Sequence, residues 1–212
     1  MRSDFPLKEK YGFHDLVQIM RVLRGPGGCP WDAQQTHASI RKNFIEETYE
    51  AIEAIDAADP VLLQEELGDV LLQVIYHAAM EEEQGSFSID DVCDGVCKKL
   101  VTRHPHIFGD IKADTAEEVL SNWEEIKQRE KGQKTATETL ESVPKIFPAL
   151  MRAEKIQKRA SRAGMDYDSL NDAFRDLRSE VDELEDAVKS GTAQEKTLEL
   201  GDLLFSAVNI SR

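Results

Sequence analysis

The sequence is poor in cysteine, in aromatic residues and in positive charge. Only Cys29, Cys93 and Cys97 occur among 212 residues. That count excludes a fold held by a disulfide framework, and its odd number suits the reducing cytoplasm. Cys93 and Cys97 share a helix face, but no second Cys or His pair completes a zinc site. No apolar run is long enough to span a membrane, and the start Met1-Arg2-Ser3-Asp4 lacks the apolar stretch of a signal peptide. The chain is therefore expected to be cytoplasmic and without a membrane partner. Basic residues number 26 against 41 acidic ones, a net charge of -15. That is the wrong sign for stable nucleic-acid binding, which needs clustered Lys and Arg. Alternating strand patterns are also missing, whereas Glu, Ala, Leu, Lys and Asp abound. The expected class is all-α. At 41% hydrophobic residues a core is available, and the length suits one large or two small domains.

What the chain does have is carboxylates in a pattern. Glu46, Glu47, Glu50 and Glu53 fall within an arc of about 120° on a helix. Ile45, Thr48, Ala51, Ile52 and Ile55 take the other side. On a following helix Glu66 and Asp69 are three apart, hence neighbours. Asp59-Pro60 separates the two helices, roughly 38–57 and 61–83, and lets them fold back antiparallel. The hairpin can then bring Glu47, Glu50, Glu66 and Asp69 to one point. Four carboxylates there repel unless protonated or neutralised by a cation, and hard oxygen ligands suit Mg²⁺ or Mn²⁺.

The rest of the chain reads as helices with signalled starts. Phe13, Leu16, Val17, Met20 and Leu23 mark a helix ending at Gly25-Pro26-Gly27-Gly28. The loop Cys29–His37 follows, presenting Trp31 either as a packing anchor or over a ligand. The second hairpin helix is apolar on more than one face, so a homodimer is expected to cover the surplus. Its His77 reads as a polar packing residue. Ser88-x-x-Asp91 and Thr115-x-x-Glu118 open two further helices. The first is expected to turn Val92, Val96, Leu100 and Val101 to the core. It also carries Lys99 and Arg103 on one face, a cationic pair able to hold the outer phosphates of a ligand. His104-Pro105-His106 ends it as a turn. Residues 132–144 are polar and rich in breakers, and read as a linker. The division expected is a first helical domain over 1–131 and a second over 145–212.

The hairpin recurs beyond that linker. Glu180, Glu183, Glu199 and Asp202 repeat Glu47, Glu50, Glu66 and Asp69 at a constant offset of 133, and Leu-Gly is shared between the last two. A merely solvated face has no reason to preserve such a register. The copies differ: Ser179 stands where Glu46 stands. The second copy is expected to be truncated, ending before counterparts of Lys99, Arg103 and Trp123.

Glu-Glu-x-x-Glu, then Glu-x-x-Asp, with Gly25-Pro-x-Gly-Cys-Pro-Trp-Asp-x-x-Gln-Thr-His37 upstream, resembles the MazG nucleoside triphosphate pyrophosphohydrolases over nearly the whole chain. The resemblance implies an antiparallel all-α bundle with tandem acidic hairpins. It implies a Mg²⁺-dependent homodimer that cuts a nucleoside triphosphate to monophosphate and pyrophosphate. Glu47, Glu50, Glu66 and Asp69 would be the metal ligands, Lys99 and Arg103 the phosphate partners, and Trp123 the aromatic near the nucleotide. Glu46 or Glu53 would accept the water proton, and Trp123 or Trp31 would stack on any base, which fits broad specificity. Glu180, Glu183, Glu199 and Asp202 are the second-copy metal candidates. Competing expectations are a base-selective dUTP or dCTP hydrolase, a non-catalytic nucleotide-binding dimer and a di-iron bundle. The absence of Glu-x-x-His speaks against the last.

Overall fold

The computed structural model describes residues 5–130, 132 and 135–212, with Gln128 described only as part of its helix. The start Met1–Asp4 lies outside the described residues, as do Gln133 and Lys134 of the expected linker. All regular structure among the described residues is helical: α1 Phe13–Arg24, α2 Pro30–Gln34, α3 His37–Asp56, α4 Pro60–Glu83, α5 Ile89–Arg103, α6 Pro105–Phe108, α7 Ala116–Glu130, α8 Ala136–Glu141, α9 Ala149–Arg162, α10 Leu170–Ser190 and α11 Ala193–Ser211. Contacts divide the chain into two compact units, Met1–Thr102 and Arg103–Arg212.

In the first unit, α3 and α4 form the expected antiparallel hairpin, with α1 against α4. Thr36 caps α3 by accepting from the Ser39 amide, and Asp59 caps α4 by accepting from Val61 and Leu62. Pro60 takes the first position of α4, where its missing N–H costs nothing. The core gathers Val17 and Met20 of α1, Ile40 of α3, the C-terminal half of α4 from Ile75 to Met80, and Ile89.

The apolar residues of α3 divide in a way that helical periodicity does not reveal. Ala51 and Ala54 are buried, while Ile45, Tyr49, Ile52 and Ile55 are exposed. The small alanines allow α4 to approach closely, and Glu47 lies on their stripe, four and seven residues before them. The larger side chains point away from the hairpin. The expectation that α5 turns its valines and Leu100 to the core is corrected: Ile89 is buried, but Val92, Val96, Leu100 and Val101 are exposed. Only the start of α5 reaches the core cluster, through Ile89 and Cys93. Its remaining turns carry their apolar side chains 38–51% exposed among the described residues.

The stretch Cys29–His37, expected as a loop, contains the helical turn α2 with proline at its first position. The approach to it is tightly fixed. The Cys29 amide donates to Leu23 O at 2.7 Å and the Gly28 amide to Gly25 O at 2.9 Å. A Cβ on Gly28 would lie 2.2 Å from Val22 O and 2.4 Å from Leu23 O, so only glycine fits. Arg24, its side chain 5% exposed, clasps the arrangement. It donates to Glu83 through Nε and Nη2 and to Asp32 O at 2.6 Å through Nη1. Tyr76 donates to Asp32 Oδ1 at 2.9 Å, and burial pushes its phenol up to about 12, with Asp32 adding to the rise.

In the second unit, α10 and α11 form a second hairpin, α9 packs on α11, and α8 on α9. α8 falls inside the expected linker and opens with a capping box, Thr135 with Glu138. His106 lies on the short α6 and His104 precedes it. No described helix is long and apolar enough to cross a membrane.

Candidate metal centre

The α3–α4 hairpin brings Glu47, Glu66 and Asp69 together, with one carboxylate oxygen of each within 4.8 Å of the others. Glu47 comes from the α4-facing stripe of α3; Glu66 and Asp69 come from consecutive turns of α4. The electrostatics carry the same signature. The Glu47 carboxyl is raised by burial, then by the Asp69 charge, a hydrogen bond with Glu50, and the Glu50 and Glu66 charges. The Glu66 carboxyl is raised by the surrounding protein, then by Glu50, Asp69, Glu65 and Glu53. Glu50 is thus a neighbour of the trio through Glu47, and Glu53 acts on Glu66. Glu46 turns elsewhere, to Lys42 Nζ at 2.6 Å.

This donor set suits a small hard cation. An octahedral Mg²⁺ holds oxygens at about 2.0–2.1 Å, which places ligand oxygens no more than about 4.2 Å apart. The trio, gathered within 4.8 Å, would draw in toward that span around a cation, and mutual repulsion is the force a cation would relieve. Among the described residues no sulfur or imidazole joins it, which disfavours softer metals.

The second hairpin repeats the arrangement with Glu180, Glu199 and Asp202, again within 4.8 Å. Burial raises the Glu180 carboxyl first, followed by Glu183, Asp176, Asp202 and Glu199. Here Glu183 accepts a hydrogen bond from Ser179 at 2.9 Å. Asp176 accepts from Tyr167 and from Ser206, the latter at 3.0 Å. The Tyr167 phenol is pushed up to about 12 by burial and Asp176.

The other expected site residues fall in different places. Lys99 is exposed on α5 and makes no ion pair among the described residues. Arg103 is largely covered and engaged: Nε and Nη2 both donate to Glu130 Oε2, at 2.9 and 2.5 Å. Its guanidinium lies 5.2 Å from the Trp123 ring centroid, and the Lys127 ammonium lies 4.7 Å from the same ring. Trp31 is 62% exposed on the α2 turn. It is displayed by a tied segment and is not an anchor in the core.

One polar cluster was only half legible. His37 Nε2 donates to Glu81 at 2.7 Å, and the Nδ1 atoms of His37 and His77 share a hydrogen bond at 2.6 Å with the rings stacked. A carboxylate only accepts, so neutral His37 must receive the His77 proton at Nδ1. Burial, then His37, lowers the His77 imidazole. His77 is the polar packing residue expected, but its partner 40 residues earlier had no sequence signal.

The profile of the MazG nucleotide pyrophosphohydrolase domain matches residues 35–108, which hold the first trio and the α5 cations. The chain is 43% identical over 200 residues to the nucleoside triphosphate pyrophosphohydrolase of Escherichia coli strain K12, covering 93% of this chain and 76% of that one. It is 44% identical over 200 residues to the nucleoside triphosphate pyrophosphohydrolase/pyrophosphatase MazG of Thermotoga maritima, covering 94% and 75%. A nucleoside triphosphate pyrophosphohydrolase of Mycolicibacterium smegmatis is 38% identical over 189 residues, 82% of this chain and 57% of its own. With matches of this length around an acidic trio in the expected register, the chain belongs to the MazG nucleotide pyrophosphohydrolase family.

Proposed function

We propose that this chain hydrolyses nucleoside triphosphates to nucleoside monophosphate and pyrophosphate, with Mg²⁺ held by Glu47, Glu66 and Asp69 and with Glu50 beside them. The convergence of three carboxylate oxygens within 4.8 Å carries the proposal, and the family supplies the reaction. A bound divalent cation supplies Lewis acidity at the α-phosphate and acidifies a water molecule. The chain's own residues do the rest. Glu47, Glu66 and Asp69 hold the negative charge that fixes the cation's place. Glu50 adds a further negative charge beside Glu47. Glu53, whose charge reaches Glu66, or Glu46, whose pair with Lys42 is exposed, is assigned the water proton. Lys99, exposed and without an ion pair among the described residues, is assigned the leaving pyrophosphate. Trp31, displayed on α2, offers a stacking face that suits every base, hence broad specificity.

The working form is proposed to be a homodimer. Ile45, Tyr49 and Ile52 form one stripe of α3, and Leu67 and Leu71 of α4 and Val96 and Leu100 of α5 are exposed with them. Patches of this kind mark association surfaces.

The deciding experiment is pyrophosphate release from the eight common triphosphates with and without Mg²⁺. Glu66→Gln is expected to remove nearly all of the Mg²⁺-dependent release while circular dichroism stays unchanged. Unaltered turnover in that variant would sink the assignment.

A further inference from the structure

The second unit contains a cavity unlike the rest of this acidic chain. It has a volume of about 360 Å³ and lies between α7, the segment at Phe147 and one face of α9. Its walls carry five cations, on Lys127 and on the α9 residues Lys155, Lys158, Arg159 and Arg162, against the two acids Glu124 and Glu154. The local formal charge is therefore +3, within a chain of net charge -15. Like charges gathered against the overall sign cost repulsion that an anion would remove.

The α9 residues are not scattered. Lys155, Lys158 and Arg162 follow at three and four residues, so they form one row about 10 Å long. The opposite face of α9 is committed to packing: Ala153 and Gln157 are buried, and the Gln157 amide donates to Phe205 O of α11 at 2.6 Å. Arg159 is fixed to the chain by bonds to Thr139 O and to Ser142 Oγ. Lys155 makes no ion pair among the described residues, and its ammonium stands 5.8 Å from the Phe147 ring centroid. Of the two acids, Glu154 is the weak competitor, whereas Glu124, its side chain 17% exposed, is held more firmly beside Lys127. Lys158 meets Glu154 at 2.5 Å, but both side chains are about half exposed. Such surface pairs contribute little and are readily exchanged for a better anion. Glu124 sits 3.2 Å from Lys127 and 3.5 Å from Arg162. Trp123, Phe147 and Met151 supply an apolar wall.

We propose that this cavity is a second anion site, for a condensed phosphate chain, free or carried on a nucleotide, and that it works without the carboxylate clusters. A row of about 10 Å is longer than one phosphate group and matches an extended polyphosphate. The apolar wall gives a nucleoside somewhere to lie. The site draws on residues beyond the stretch matched by the family profile, and it needs no metal.

The test uses the full chain in excess EDTA, so that the carboxylate clusters cannot recruit phosphates through a cation. Calorimetric titration with tripolyphosphate, with a non-hydrolysable nucleoside triphosphate and with inorganic phosphate compares the sources. Saturable, salt-sensitive binding of the first two and weaker binding of inorganic phosphate is expected. The combined Lys155→Ala, Lys158→Ala, Arg162→Ala variant should bind at least about tenfold more weakly. Single Lys155→Gln and Arg162→Gln variants, at exposed positions, guard against a folding defect and should each weaken binding. Glu66→Gln and Glu199→Gln should bind as the parent does. Nucleotide binding much tighter than tripolyphosphate would identify the nucleotide as the ligand, and equal affinity the phosphate chain alone. No binding in EDTA, or binding indifferent to the α9 variants, would overturn the proposal. Hydrolysis with Mg²⁺ is measured separately, so failure here leaves the carboxylate assignment untouched, and the reverse.

Discussion

The two hairpins hold the same trio in different company. In both, one carboxylate of the first helix meets two from the second within 4.8 Å. In α3–α4 the fourth acid, Glu50, leans on Glu47 and adds to the charge on Glu66. In α10–α11 its counterpart, Glu183, takes a hydrogen bond from Ser179, the residue standing in the place of Glu46. Asp176 occupies the position of Asn43, and with Tyr167 and Ser206 it forms a network absent from the first hairpin. Hairpin register alone therefore assembles three carboxylates. Whether a fourth is left open to a ligand depends on single neighbours one turn away.

The sharpest way to break this comparison is catalytic. Glu66→Gln is expected to lower Mg²⁺-dependent pyrophosphate release by at least about 100-fold, and Glu199→Gln by no more than a small factor. Equal losses would make the hairpins functional equals.

A smaller effect concerns cation-linked stability. A cation at 100 times its Kd stabilises the folded state by about 2.7 kcal/mol. Saturating Mg²⁺ should raise the Tm, Asp69→Asn should remove most of that rise, and Asp202→Asn should leave most of it. The reverse ranking in a thermal melt would place the stronger site on α10–α11.

The smallest effect is on the metal-free chain. Glu47, Glu66 and Glu180 are all raised above the ordinary carboxylate value. A raised acid binds its proton more tightly folded than unfolded. It therefore opposes folding increasingly as pH rises past the unfolded value, fully above the folded one, and this penalty fades as pH falls toward the usual carboxylate range. In EDTA, Glu47→Gln should raise the Tm by a few degrees at pH 7 and by less near pH 4.5. A lower Tm at pH 7 would show that the charges are not in conflict.

Much of this was legible in the sequence, for identifiable reasons. The trio follows from helical spacing plus a repeated offset, both local. The helix starts at Ser88 and Thr115 follow from side chains that reach amides three residues on. α2 and α8 could also have been found, from Pro30 at a first helical position and from Thr135-x-x-Glu138. Other features had no local signal. Periodicity gives α3 an apolar side but cannot say that Ala51 and Ala54 meet α4 while Ile45 and Ile52 do not. Arg103 reads as a cation for phosphate, yet its partner is Glu130, 27 residues away. The α9 row has no local signal of its own, because its meaning depends on what Trp123 and Phe147 place opposite it.

The clasp around Gly28 bears on how this chain can drift. With two backbone oxygens where a Cβ would be, and the Cys29 amide tied to Leu23 O, residues 25–35 admit few changes of residue and none of length. A single inserted residue would break the Arg24 bridge between Asp32 and Glu83 and carry Trp31 off its mount. Over evolutionary time the segment should behave as a ruler, constant in length while the helices beside it vary in surface residues.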